Sequence, residues 1–221
     1  GLIETVGSGI PRIDFSDDAN GALLLEPTAT NKTLYSQEFD NIAWTKAGST
    51  TSPNVVVSPD GVLNADKLIE GTNTSTHVVR ESSNPTIASG ANHTMSVFVK
   101  PNGRNGIRLS NAGESNVDAY FDVLNGTIIS QGSLTTAKIE SYANGWYRCS
   151  ISFLSTTTIS QTNIRTLDGT NEQSYTGDGT SGVYIFGAQL EENSYATSYI
   201  KTIGTAQTRV ADTASGSGNS T

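Results

Sequence analysis

The feature that most restricts the fold of this chain is a series of short runs in which apolar and polar residues alternate. Met95, Val97 and Val99 would lie on one face of a strand, with Ser96 and Phe98 on the other. No segment shows a sustained helical stripe. Similar runs, rich in β-branched and aromatic residues, occupy residues 65–69, 76–81, 94–100, 106–111, 118–124, 146–154 and 183–190. We therefore predict an all-β fold, a two-sheet antiparallel β-sandwich of the jelly-roll type.

Turn-forming dipeptides separate several of these runs. Asn125 and Gly126 stand between two apolar runs, and Asn144 and Gly145 precede Trp146. Both residue types tolerate positive φ angles, so an Asn-Gly pair in this setting predicts a hairpin with a type I′ turn. The sequence 177–182 fits the pattern G-x-G-x-x-G, but it precedes a strand and opens no helix. It is therefore predicted to be a loop.

The charge balance excludes some partners. The 221 residues include 13 Lys and Arg against 21 Asp and Glu, for a formal net charge of −8, which disfavours nucleic acid as a partner. No apolar run approaches the roughly 20 residues of a membrane helix, so no membrane insertion is expected. The single cysteine, Cys149, lies in an apolar run and is predicted to be a core residue, as is Trp44.

The chain is predicted to hold one main domain flanked by two segments. Residues 1–30 combine short apolar pieces with turn signals and are interpreted as an N-terminal arm or connector. Residues 31–203 would form the sandwich, and residues 204–221 a linker or C-terminal tail. Gly1 in place of an initiator Met indicates a fragment or a processed product.

Six stretches in a fixed order carry a resemblance to a known family. They are residues 23–31, 35–45, 65–68, 95–100, 144–149 and 183–191. In these stretches the chain resembles the jelly-roll modules of tailed-phage virion and tail-associated proteins, which are related to carbohydrate-binding modules. The resemblance implies a bacteriophage tail or secreted protein, located on the virion surface or extracellularly. It also implies a glycan or polysaccharide partner for host adsorption, neighbouring domains, and a homo-trimer as one form of assembly.

The same resemblance bears on cofactors. Some sugar-binding relatives hold a structural calcium ion, and here Gly187 and Ala188 stand where an Asp pair would help to bind it. We therefore predict no cofactor and no metal site, with a structural calcium ion as the open alternative. His77, His93 and Cys149 give neither a zinc-binding spacing nor a catalytic triad.

Aromatic and basic side chains on polar strand faces are the candidate binding residues. A sugar ring offers an apolar C–H face and a rim of hydroxyls, which suits a flat aromatic ring beside hydrogen-bonding groups. The predicted carbohydrate-binding residues are Trp146, Arg148, Tyr120, Arg108 and Arg80, which could share one concave surface, and His77 as a contact to a sugar hydroxyl. Trp146 could instead cap the edge of the core, with the arginines paired to nearby acids. His77 could instead be a partly buried, hydrogen-bonded residue.

A glycosidase would need two facing carboxylates about 5 to 10 Å apart. Glu81, Asp118, Asp122 and Glu140 are available, but their spacing predicts no pair, so we predict no enzyme activity. The predicted function is a non-catalytic carbohydrate-binding module. The alternatives are a structural spacer in a fibre that binds no sugar, and part of a polysaccharide-degrading enzyme.

Overall fold

The computed structural model describes residues 3–4, 10–14, 19–169 and 173–213, and these residues form strands joined by turns and loops. One short 3₁₀ helix, Ala143–Gly145, lies among them. The strands in chain order are β1 (Ile13–Asp14), β2 (Ala22–Leu23), β3 (Ala29–Asn31), β4 (Trp44–Ala47), β5 (Ser49–Val57), β6 (Leu63–Glu70), β7 (Thr74–Thr76), β8 (Val78–Glu81), β9 (Asn92–Asn102), β10 (Gly106–Asn111), β11 (Asp118–Asp122), β12 (Thr127–Gln131), β13 (Thr136–Ser141), β14 (Tyr147–Leu154), β15 (Thr162–Leu167), β16 (Ser174–Thr176), β17 (Gly182–Glu191) and β18 (Gln207–Arg209).

Twelve of the strands form two six-stranded sheets. The first sheet has the order β12-β11-β10-β15-β8-β4, and the second has the order β13-β14-β9-β17-β6-β5. The pairings within both sheets are antiparallel. The chain crosses repeatedly from one sheet to the other, as in β8, β9 and β10, and so wraps as a jelly roll. The predicted two-sheet antiparallel sandwich is confirmed.

The main core lies between the two sheets. Side chains such as Ile107 and Phe121 reach it from the first sheet, and Val97 and Ile151 reach it from the second. Alternation along β9 and β14 explains why these residues point inward. The core prediction for Cys149 is confirmed, since it is fully buried there. Trp44 is also in the core, where its indole nitrogen donates a hydrogen bond to the Tyr35 carbonyl at 2.8 Å.

The two Asn-Gly turns differ from each other. Asn144 and Gly145 both have positive φ, at 61° and 77°, in the tight connection from β13 to β14. The hairpin predicted at Asn125 and Gly126 exists between β11 and β12, but only Gly126 has a positive φ, at 68°. The type I′ prediction is therefore wrong for this turn. Asp122 shapes the turn instead, because its carboxylate accepts backbone hydrogen bonds from Leu124 and Asn125.

The two ends of the described chain meet beside the sandwich. Strand β3 pairs with β18, with Ala29 opposite Arg209. Glu26 accepts hydrogen bonds from Arg12 at 2.6 Å and from Arg209 at 2.7 Å, and Asp212 pairs with Arg12. Burial opposes ionisation of Glu26, but hydrogen bonds from Ser198 and Arg12 and the Arg209 charge outweigh it and lower its pKa.

The predicted domain boundaries stay a prediction. Strand β18 lies within the segment interpreted as a tail, and β3 begins within the segment interpreted as an arm. The end of the predicted tail, residues 214–221, lies outside the described residues, as do residues 15–18 of the predicted arm.

Candidate functional site

The outer face of the second sheet, where the sequence places Trp146 and Arg148, is covered. Trp146 is only 1% exposed and packs with Ala65, Phe98 and Phe186 in a second apolar cluster. Its indole nitrogen donates a hydrogen bond to the Val57 carbonyl at 3.2 Å. The prediction that Trp146 is a sugar-stacking residue on an open surface is therefore wrong, because both its ring and its N–H are already used inside the protein.

Arg148 lies in the same covered layer. It is 3% exposed, and its two terminal nitrogens donate to the Thr197 carbonyl at 2.7 Å and to Ser96 Oγ at 3.0 Å. Its guanidinium group lies over the Phe98 ring, 5.2 Å from the ring centroid. The predicted solvent-facing position of Arg148 is wrong as well, since the side chain is buried and engaged with Thr197 and Ser96.

The cover over this face is the segment of residues 192–203, which follows β17. Glu191 accepts a hydrogen bond from the Thr197 N–H at 2.9 Å, and Gln189 accepts one from the Ile200 N–H at 2.8 Å. Gly187, with φ of 64°, lets this layer close tightly. A Cβ atom there would lie 3.0 Å from the Phe98 ring and 3.1 Å from the Tyr199 ring, so a larger residue would push the two aromatics apart.

His77 is also inaccessible. Its side chain is fully buried, with Nε2 3.1 Å from the Tyr175 carbonyl oxygen, and with Nδ1 2.5 Å from the Gly48 carbonyl oxygen and 3.2 Å from the Gly71 nitrogen. The ring packs against Tyr175 with 4.5 Å between centroids. The hydrogen-bonded alternative agrees with this position, although the ring is fully rather than partly buried, and the accessibility that the predicted sugar contact needs is contradicted.

The remaining three predicted residues, Arg80, Arg108 and Tyr120, lie together on the outer face of the first sheet. Strand pairing adds a third arginine, because Arg108 on β10 is directly opposite Arg165 on β15. On the next strand, Arg80 is directly opposite Asn163. All three arginines are partly exposed. We call this surface the arginine face and define it by Arg80, Arg108, Tyr120, Asn163, Arg165 and Gln173.

Gln173 forms hydrogen bonds with three other residues of the arginine face. Its amide oxygen accepts hydrogen bonds from Nη1 of both Arg108 and Arg165, each at 2.9 Å. Its amide nitrogen donates to the Tyr120 hydroxyl at 2.6 Å. The Arg108 guanidinium also lies 5.6 Å from the Tyr120 ring centroid. The aromatic ring and the guanidinium groups are therefore held as one hydrogen-bonded surface.

Charge is unevenly distributed on the arginine face. Arg108 pairs with Asp118 at 2.8 Å, and this is the ion pair that the described residues supply to the three arginines. Arg80 Nε donates to the neutral Asn163 amide oxygen at 3.0 Å. Burial, together with the neighbouring charges of Arg108 and Arg80, lowers the pKa of Arg165. The face is therefore locally cationic in a chain of net charge −8.

The four carboxylates considered for catalysis are separated by the fold. Glu140 lies on β13 of the second sheet, where it pairs with Lys138, and Glu81 is buried on β8. Asp118 and Asp122 share the outer face of β11, but they are four positions apart along the strand, so their Cα atoms are about 13 Å apart. Asp118 is bound to Arg108, and Asp122 caps the β11–β12 turn. The structure therefore does not bring these four residues together as a carboxylate pair.

No group of three or more His, Cys, Asp or Glu side chains in the part of the chain that the structure describes is placed to hold a metal ion. Nor does any helix in it have the length and apolar character needed to span a membrane. Two surface grooves lie away from the arginine face. One of about 370 Å³ is lined in part by Leu134 and Phe153, and one of about 480 Å³ is lined in part by Ile203 and Arg209.

Arg165, Asn163 and Gln173 are the functional candidates that sequence reasoning missed. In the run 162–167 the apolar residues Ile164 and Leu167 are three positions apart and Arg165 alone is partly exposed, so the run lacks the period of two that indicates a half-buried strand. Gln173 gives no signal either, because it precedes the short strand β16 and reaches the face only through the fold.

No family model matches the chain, and no curated protein matches it. Among solved structures, it is similar to the CBM22-1–GH10 modules of Clostridium thermocellum endo-1,4-beta-D-xylanase 10B complexed with xylohexaose. That match has a TM-score of 0.44 and 15% identity over 76% of this chain and 29% of the other. It is also similar to a carbohydrate-binding module from Cellvibrio mixtus lichenase 5A in complex with cellotriose, with a TM-score of 0.40 and 8% identity over 74% and 96% of the chains.

A third similar structure is the enzymatically active domain of tailspike protein 4 from Bacteriophage CBA120. The TM-score is 0.43 and the identity 11%, over 72% of this chain and 21% of the tailspike chain. The chain thus spans less than a third of the xylanase and tailspike chains that it matches.

Proposed function

We propose that this chain is a non-catalytic carbohydrate-binding module and that the arginine face is its glycan-binding surface. The observation that carries the proposal is that the aromatic and basic side chains of this face are partly exposed to solvent. Tyr120, Arg108, Arg80 and Arg165 project from adjacent strands of the first sheet and stay partly exposed, although Gln173 forms hydrogen bonds with three of them.

The chemistry of the arginine face suits a sugar chain. Guanidinium and amide groups donate several hydrogen bonds in fixed directions, as the hydroxyl rim of a sugar requires, and Tyr120 adds an aromatic ring beside them. The strands hold these groups on rigid backbone, so little conformational entropy is lost when a ligand binds. The surface is a sheet face and is separate from both grooves, which favours an extended polysaccharide over a single small molecule.

We place the module in a bacteriophage tail or another secreted protein, on the virion surface or extracellularly. The support is the sequence resemblance to phage virion modules in the six stretches given above. A single site of this kind would bind weakly, in the micromolar to millimolar range, or about 4 to 8 kcal/mol. A homo-trimer or a repeated array would raise the avidity of host adsorption without any new contact.

The absence of catalysis is part of the proposal. Its support is the position of the four candidate carboxylates, which the fold distributes over a buried strand, a turn cap and two ion pairs. Incubating the chain with bacterial polysaccharides and assaying reducing ends tests this part directly, and any release of sugar above a buffer blank would contradict it.

The test of the binding surface uses Tyr120→Ala and Arg108→Gln on an array of bacterial surface polysaccharides. We expect each substitution to weaken retention about tenfold or more, because each removes one anchor of the surface. Lys138→Gln is the matched control, since Lys138 is 68% exposed on the second sheet and its loss also removes one positive charge. Retention that survives both substitutions, or no retention of any glycan by the unmodified chain, would favour a spacer that binds no sugar.

A further inference from the structure

The arginine face has a surplus of donors and of positive charge that neutral sugars do not explain. From this surplus we infer that the arginine face, if it is the glycan site proposed above, selects acidic glycans and binds a sugar carboxylate between Arg80 and Arg165. The inference rests on the proposed function and narrows it to one chemical class of ligand.

The first support is the position of the arginines in the strand pairing. Residues directly opposite in an antiparallel pair have Cβ atoms about 4.5 to 5.5 Å apart, and like charges placed there destabilise the sheet. Arg108 and Arg165 occupy such a pair. Arg80, opposite Asn163, is the diagonal neighbour of Arg165, about 7 to 8 Å away by the same geometry. Three guanidinium groups therefore crowd one small area at a cost to stability, and an anionic ligand would relieve their repulsion.

The second support is the set of groups that lack a partner. Arg165 Nε and Asn163 Nδ2 are buried and have no hydrogen-bond partner among the described residues. Arg80 donates through Nε, and no hydrogen bond to another described residue uses its two terminal nitrogens. All of these atoms are donors and none is an acceptor. Because Arg165 Nε and Asn163 Nδ2 are buried, a ligand would first contact the terminal nitrogens of the partly exposed Arg80. A ligand that binds these donors must supply acceptors, and a carboxylate supplies two oxygens with the geometry that guanidinium groups prefer.

The third support is the group that now lies between two of the arginines. The Gln173 amide oxygen accepts a hydrogen bond from each guanidinium, yet it carries no charge. Asp118 pairs with Arg108 through Nε, and Asp122 is engaged in the β11–β12 turn. Arg80 and Arg165 thus have no ion pair with a described residue. A charge-assisted hydrogen bond is roughly twice as strong as a neutral one, so a carboxylate would be preferred over a hydroxyl between Arg80 and Arg165.

The experiment compares polymers that differ only in their carboxylates. Polygalacturonate, alginate and hyaluronan are each measured beside their carboxyl-reduced forms, by affinity electrophoresis and calorimetry with the full chain. We expect at least one acidic polymer to bind about tenfold or more tightly than its reduced form, since hydrogen bonds to charged groups are the stronger ones. We also expect this binding to weaken about tenfold or more between 50 and 500 mM NaCl, because salt screens partly exposed charges.

Variants locate the carboxylate. Arg80→Gln and Arg165→Gln should each abolish the preference for the acidic form, whereas Lys138→Gln should leave it unchanged. Arg165→Lys keeps the charge and loses the planar fork, so it should retain part of the preference. Two positions are tested so that a folding defect in one variant does not decide the result, and near-ultraviolet circular dichroism checks each fold.

The outcomes separate this inference from the proposed function. Equal binding of the acidic and reduced forms, or binding of neutral polysaccharides only, would overturn the carboxylate preference and leave a glycan site on the arginine face. Binding of a DNA oligonucleotide as tight as that of the acidic polymer would replace glycan selectivity with general polyanion binding. No binding of any polymer, including the bacterial polysaccharide array, would overturn both proposals.

Discussion

The outer faces of the two sheets each carry an arginine guanidinium beside an aromatic ring, but the two arginines differ in their exposure to solvent. On the second sheet the Arg148 guanidinium lies 5.2 Å from the Phe98 ring centroid, and on the first the Arg108 guanidinium lies 5.6 Å from that of Tyr120. Arg148 is 3% exposed and bound to the covering segment, whereas the Arg108 side chain is 20% exposed. An arginine beside an aromatic therefore indicates a binding surface only where nothing in the fold covers it.

The largest expected difference between the two faces is in stability. Trp146→Ala should lower the free energy of unfolding by about 3 to 5 kcal/mol, as large-to-small changes of buried aromatics do. The indole hydrogen bond to Val57 is lost together with the packing against Phe98 and Phe186. Urea unfolding followed by fluorescence and circular dichroism measures the change. Tyr195→Ala is the control, because Tyr195 is 51% exposed; a loss below about 1 kcal/mol for Trp146→Ala would contradict the covered second face.

The pH dependence of stability tests whether water reaches Glu81 in the interior behind the arginine face. Glu81, on β8, is 1% exposed, and burial raises its pKa to about 7, although a hydrogen bond from Ser83 opposes the shift. The folded chain then holds a proton that the unfolded chain releases near its ordinary pKa of 4.5. This contribution to stability is complete below pH 4.5 and is lost as the pH rises through 7.

The expected loss from Glu81 between pH 4.5 and pH 8 is roughly 3 kcal/mol, from about 1.4 kcal/mol per pKa unit. Glu81→Gln has no such proton to lose, so its unfolding free energy should fall less over this range than that of the unmodified chain. Parallel urea titrations at pH 5, 6.5 and 8 measure the difference between the two proteins, which cancels the other titrating groups. Identical pH dependence would mean that water reaches Glu81.

The smallest expected effect on the unfolding free energy comes from a substitution on the arginine face. Arg108→Gln, on the partly exposed face, should change the unfolding free energy by about 1 kcal/mol or less, as ion pairs near the surface do. Its pair with Asp118 is lost, but relief of the repulsion from Arg165 compensates in part. Thermal unfolding at neutral pH gives this value. A loss as large as that of Trp146→Ala would make Arg108 a structural residue like Arg148, and would remove the contrast between the two faces.

Alternation along the strands allowed the sandwich to be predicted from the sequence. Cys149 and Ile151 do face the core, and Trp146 and Arg148 do point away from it, as the period of two requires. The outer side of these strands, however, is not exposed to solvent. What covers that side is residues 192–203, and their position follows from contacts more than forty residues distant in sequence, such as Arg148 with Thr197.

The candidate site could be predicted only in part for a related reason. Arg80, Arg108 and Tyr120 were identified because each stands in a recognisable alternating run. Arg165 stands in the run 162–167, whose apolar and polar residues do not alternate, so this strand cannot be found from its pattern. Gln173 could not be found, because the hydrogen bonds that connect it to Arg108 and Tyr120 span more than fifty residues of sequence. The pattern of a strand predicts the face of the sheet on which a residue lies. The order of the strands in the sheet decides which side chains become neighbours on that face.

The pairing of β3 with β18 has a mechanical consequence. Ala29 lies opposite Arg209 at the end of the ladder from which the chain continues in both directions, toward Arg12 on one side and Asp212 on the other. Tension applied to the chain before β3 and after β18 would load this ladder one hydrogen bond at a time, as in opening a zipper, and would not shear all its bonds together. The clasp of Arg12, Glu26, Arg209 and Asp212 would take the load first. In a larger protein, tension between the two flanking segments would therefore act on the clasp and this ladder before it reached the two six-stranded sheets.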